Sequence, residues 1–91
     1  MENNLDELRD EIDIIDGEMC GLFIKRMEIA REIAVYKKEN GLPVVNLKRE
    51  SEIIEKLTKN QSGEMAFYIK PLFQAIFGLS SAYQGNVIAK L

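Results

Sequence analysis

The sequence predicts an all-α fold of three helices per chain, with a first helix far longer than the other two. Three observations carry this. Apolar residues recur at spacings of three and four from Leu5 to Tyr36. Turn-forming residues break the chain at Asn40-Gly41, with Pro43 beyond, and again at Asn60-Gln61-Ser62-Gly63. Runs of alternating β-branched residues, the mark of strands, are absent.

The first helix is predicted over about residues 4–40. Asn4 is the expected N-cap, with Glu7 three residues on as in a capping box. Leu5, Leu8, Ile12, Ile15, Met19 and Leu22 form a seam that Ile29, Ile33 and Tyr36 continue. Gly41 supplies the C-terminal stop, and Pro43 prevents resumption. A helix of about 35 residues is roughly 50 Å long. Two shorter helices cannot cover such a seam, so a partner chain is expected. Gly17 and Gly21, four residues apart, mark either a close helix approach or tolerated surface positions.

The second helix is predicted over about 46–59, capped by Asn46, with Ile53, Ile54 and Leu57 inward. The third is predicted over about 64–88, with Ile69, Leu72, Phe73, Ile76, Leu79, Tyr83 and Val87 as its stripe. Pro71 either kinks this helix or marks its true start.

Composition narrows the chemistry. The 91 residues form a single domain by length, and the chain ends at Leu91 soon after the third helix, as a self-contained module would. A net charge of −3 speaks against a nucleic-acid partner. There is no His, hence neither the commonest general base nor the commonest metal ligand, and no metal site is expected. One cysteine, Cys20, excludes an internal disulfide and reads as a small buried or half-buried residue. Neither a signal peptide nor a membrane-length apolar run is visible, so no membrane association is expected and the cytoplasm is the expected compartment.

The informative residues break the apolar seams. Arg26 stands where Leu or Ile belongs; it either reaches solvent or serves a pocket. Lys37 follows eleven residues later, close to three turns, so the two point the same way about 16 Å apart. Arg9 lies about 25 Å from Arg26 along the helix, so it shares a site with that pair only across a two-fold axis. Ser80 and Gln84 stack at i, i+4, and a buried Gln either closes an interhelical hydrogen bond or aims a neutral donor into a pocket. Arg49 and Glu50 open the second helix, where a carboxylate also answers the helix dipole.

Taken in order, Leu5-x-x-Leu8-Arg9-x-x-Ile12-x-x-Ile15-Asp16, then Arg26, Lys37, Asn40-Gly41-Leu42-Pro43-Val44 and Arg49-Glu50, with Ser80 and Gln84 near the end, resemble the all-α AroQ (type II) class of chorismate mutases. The resemblance covers nearly the whole chain and is most specific in its first two-thirds. It implies an intertwined homodimer in which the long helices form a spine and each site is completed by Arg9 of the other chain. It implies that Arg26 clamps a carboxylate and that Lys37 serves a carboxylate and the ether oxygen. It implies further that Gln84 donates to that oxygen, Glu50 takes the substrate hydroxyl, and Arg49 and Ser80 support the pocket. Asn46 stands where the family often has Asp, so its part in orienting the hydroxyl or Arg49 is in question.

The chemistry suits such a residue set. The Claisen rearrangement of chorismate to prephenate moves no proton and needs no nucleophile, so no cofactor is expected. The enolpyruvyl arm must be held over the ring, which arginine–carboxylate pairs do bidentately. Charge growing on the ether oxygen must be met by preorganised donors. The rivals are an isochorismate pyruvate lyase on the same scaffold, which the Lys37–Gln84 pairing disfavours, and a non-catalytic helical dimerisation module. A mutase fused to, or activated by, a partner is a third possibility.

Overall fold

A computed structural model describes residues 3–91 as three α-helices: α1 (Asn3–Glu39), α2 (Leu47–Thr58) and α3 (Gly63–Ala89). α1 starts at Asn3, so Asn4 lies inside the first turn rather than capping it. The N–H groups there are unpaired by helix geometry in any case, so an Asn is tolerated. Asn46 does cap α2: its side-chain oxygen accepts from the Arg49 N–H at 3.1 Å. Ser62 caps α3 in the same way through the Met65 N–H at 3.2 Å, a cap the Asn60–Gly63 break concealed.

α3 runs unbroken through Pro71, which is therefore not its start. Proline removes the N–H that would bond the Phe67 carbonyl. Both residues are exposed, so water can reach that carbonyl.

Among the described residues, α3 packs against both other helices, while α1 and α2 do not pack against each other. The α1–α3 crossing centres on Ala30 and Ala34, both buried and the latter with no exposed surface. Two alanines a turn apart let the backbones approach closely. From α3, Phe77, Gln84 and Val87 are buried. α2 contributes no fully buried residue; Ile53 and Ile54 are half-buried and Leu57 is just exposed.

The predicted seam of α1 is uncovered. Leu5, Leu8, Ile12, Ile15, Met19, Leu22, Ile29, Ile33 and Tyr36 are all exposed, with Ile12 at 54% and Leu22 at 67%. Cys20 is exposed too, against expectation, because it borders an open groove rather than a packed face. Gly17 and Gly21 have no neighbour within 4 Å of a Cβ built on them, so they mark no close approach within the chain.

Whole-chain dimensions agree. The radius of gyration is 16.9 Å, where a compact chain of this length would have about 12 Å. The accessible surface is 7479 Å², roughly 2,000 Å² more than mass scaling gives for a compact monomer of 10.4 kDa. No helix of the described residues is long and apolar enough to cross a membrane.

Candidate active site

The C-terminus of α1 builds the first wall of the site. After Glu39 the chain reverses: the Leu42 N–H donates to the Lys37 carbonyl at 2.8 Å, and the Gly41 N–H to the Lys38 carbonyl at 3.4 Å. This is a Schellman closure, with Gly41 at φ 63° in the left-handed region. The chain then leads through Val44 to Asn46, whose cap sets the start of α2 and with it Arg49 and Glu50.

A small cavity of about 90 Å³ lies between this turn, the first turn of α2 and the last third of α3. Lys37, Asn46, Arg49, Glu50, Ser80 and Gln84 all line it. Six of the residues singled out from the sequence therefore meet at one place. Two basic side chains and one acidic one face the same space, an arrangement suited to an anion that also carries a hydroxyl. Glu50 and Ser80 are half-buried, whereas Arg49 is exposed.

Lys37 and Gln84 are joined. The Lys37 ammonium donates to the Val44 carbonyl at 2.6 Å and to Gln84 Oε1 at 3.2 Å. Gln84, only 5% exposed, donates in turn from Nε2 to the Ala30 carbonyl at 3.1 Å. These partners fix the amide's orientation. An ammonium can only donate and a carbonyl can only accept, so the reversed amide would face both partners wrongly. Each of the two groups keeps at least one N–H in reserve: Lys37 has three and uses two, and Gln84 has two and uses one. No buried side-chain polar atom among the described residues lacks a partner.

Arg26 and Arg9 stand apart from this cluster. Arg26 is half-buried, with its guanidinium 5.7 Å from the centre of the Phe77 ring. Phe77 lines the polar cavity, but Arg26 itself lines a larger apolar groove of about 630 Å³ between α1 and α3. That groove runs past Met19, Leu22, Phe73 and Leu79, and it is the uncovered seam seen from the side. Arg9 is exposed in the bare first half of α1 and lines neither space.

Several participants escaped the sequence. Phe77 and Ser81 line the cavity and sit one residue beyond positions that had been singled out, Ile76 and Ser80. The Val44 and Ala30 carbonyls leave no trace in side-chain patterns. The spacing of Ala30 and Ala34 was the available signal for where α3 crosses.

Over residues 8–85 the sequence matches the family described as chorismate mutase type II. The chain belongs to that family. Its fit to chorismate mutase type II spans all three helices. It is 32% identical over 87 residues to the chorismate mutase of Methanocaldococcus jannaschii, covering 92% of this chain and 87% of that protein. Longer relatives align as well. The T-protein of Haemophilus influenzae is 32% identical over 84 residues, covering 90% of this chain and 22% of that protein. A bifunctional chorismate mutase/prephenate dehydratase of Buchnera aphidicola is 33% identical over 90 residues, covering 97% of this chain and 23% of that protein. The chain thus spans less than a quarter of these two longer relatives. No solved structure is a significant match.

Proposed function

We propose that the chain is a chorismate mutase, an isomerase that rearranges chorismate to prephenate in aromatic amino acid biosynthesis, and that it acts as a homodimer with shared sites. The observation that carries this reading is the Lys37–Gln84 pair, locked side by side at the wall of a cavity that also holds Arg49 and Glu50.

In the reaction the ether C–O bond breaks as a new C–C bond forms within one molecule. Negative charge grows on the ether oxygen. The reserve N–H groups of Lys37 and Gln84 meet it. Both are held before substrate arrives, so little reorganisation accompanies the step. One such donor is worth about 3–4 kcal/mol in the transition state. Arg26 and Arg49 take the carboxylates, and Glu50 accepts from the ring hydroxyl. Ser80 lines the pocket. The oxygen of Asn46 is spent on the cap of α2, so its amide nitrogen is the part left for substrate, and its main duty is to set Arg49 and Glu50.

The second chain completes the site. A cavity of about 90 Å³ is below the roughly 300 Å³ at which small-molecule pockets begin. A partner laid along the exposed seam would wall the open side, fill the apolar groove and deliver Arg9 of the partner subunit. The surface excess of roughly 2,000 Å² per chain is what an obligate homodimer buries.

The test is loss of chorismate absorbance with purified protein, with the product identified. Saturable formation of prephenate that disappears in Arg26→Ala is the expected result. A folded dimer that leaves chorismate untouched refutes the reading, and turnover of isochorismate to pyruvate would replace it with a lyase.

A further inference from the structure

Lys37 carries its charge on a flexible four-carbon stem at the end of a helix, and a cation so placed must be aimed to act as a preorganised donor. The structure assigns that task to the turn between α1 and α2: we infer that Gly41, through its left-handed backbone and the Val44 carbonyl it brings round, is a positioning residue for the Lys37 ammonium. This rests on the reading of Lys37 as the donor to the ether oxygen.

The geometry ties both ends of one residue to the same turn. The Lys37 backbone carbonyl receives the Leu42 N–H at 2.8 Å, which closes the helix end. The Lys37 ammonium donates to the Val44 carbonyl at 2.6 Å, seven residues on. The second tether to Gln84 Oε1, at 3.2 Å, is longer. A tetrahedral ammonium with two of its three N–H bonds directed has its third direction fixed. Without the Val44 carbonyl only the longer tether remains, and the group can swing about it.

The chain that brings Val44 back against Lys37 begins its reversal at Gly41, where φ is 63°. A residue with a Cβ resists that conformation, Asn least and β-branched residues most. Nothing lies within 4 Å of a Cβ built at Gly41, so a substitution there meets no neighbour and acts through the backbone alone. Gly41 is exposed and does not line the cavity. Any effect on turnover must therefore travel through the turn. A merely structural helix stop would instead lower the melting temperature and leave turnover per folded dimer intact.

The experiment is a graded series in the full-length dimer: Gly41→Asn, Gly41→Ala and Gly41→Val, each measured for kcat, KM and melting temperature. Gly41→Asn is expected to stay within about two-fold of wild type in kcat, because Asn accepts the left-handed region. Gly41→Val is expected to lose about ten-fold or more in kcat with a much smaller change in KM, as loss of a transition-state donor does. Should Gly41→Val not fold, Gly41→Ala is read in its place, with a smaller loss of the same kind. Unchanged kcat in folded Gly41→Ala and Gly41→Val dimers overturns the inference, as does a loss no smaller in Gly41→Asn than in Gly41→Ala.

A second readout is independent of catalysis. The Lys37 ammonium protons, followed by NMR on 15N-lysine-labelled protein, are expected to exchange slowly in wild type and rapidly in the Ala and Val variants. If wild type converts no chorismate, the mutase reading fails by itself and this readout alone decides the positioning. Exchange that is equally fast in all the proteins would overturn it.

Discussion

From Asn4 to Leu22 every residue of α1 is exposed, whereas from Phe23 to Lys37 the same helix carries buried and half-buried positions against α3. The two halves share one apolar rhythm and one unbroken backbone. They differ in what covers them. The second half is anchored by Ala30 and Ala34 and holds Lys37, one of the two cations of the polar cavity. The first half stands exposed, and most helical stability in proteins comes from packing an apolar face. In the homodimer we propose, one helix serves two cores: a small one inside the chain, which shapes the cavity, and a larger one shared with a second copy.

The sharpest way to break this division is a charge in the bare half. Ile15→Asp should abolish dimerisation and, with it, most helical content and activity, since a buried unpaired carboxylate costs several kcal/mol at each of two symmetric positions. Analytical ultracentrifugation and circular dichroism read this directly. An active, folded monomer would show that the seam is not an interface.

The opposite half should respond differently. Lys37→Ala is expected to keep the dimer and lower kcat by about 10²–10³-fold, the usual loss for one preorganised donor. Steady-state kinetics on a sedimenting dimer check it. Weaker binding with unchanged turnover would remove Lys37 from the chemistry.

A third measurement joins the halves. Chains carrying Arg9→Ala and chains carrying Arg26→Ala should each be nearly inactive. Refolded together at equal amounts, they should recover about a quarter of wild-type activity, because half the dimers are mixed and each mixed dimer holds one intact site. Recovery of nothing would place both arginines in the same chain's site.

The smallest effect belongs to Asn46. Asn46→Ala should cost about 1 kcal/mol of stability through the lost cap, whereas Asn46→Asp should be nearly neutral to stability, since both side chains cap well. Thermal melts decide, and equal losses in both variants would show that the amide nitrogen matters more than the cap.

How far the sequence reveals this molecule depends on the kind of partner each residue has. Helix ends are readable where the stop is a side chain or a glycine with a local job, as at Gly41 and Asn46. The seam is readable as a period, but the period does not say whether Leu8 faces α3 or another chain, because both surfaces ask for the same residue types. The small pair Ala30 and Ala34 locates the crossing better than the larger residues do. Lys37 and Gln84 stand out because each is polar where apolar is expected. Their real tethers do not, since Val44 and Ala30 act through carbonyls that every residue possesses. Arg26 is a mixed case. Its place on the seam is visible in the spacing, but its seat over Phe77 depends on how α3 crosses α1.

The bare first half of α1 also has a kinetic meaning. A chain that closes its own core folds at a rate independent of how many copies surround it. In the proposed homodimer the first nineteen described side-chain positions, Asn4 to Leu22, find cover by encounter with a second copy, so the last stage of refolding should be second order and slow on dilution, like other assembly steps. The half-life of the refolding protein then becomes a clock set by its own concentration.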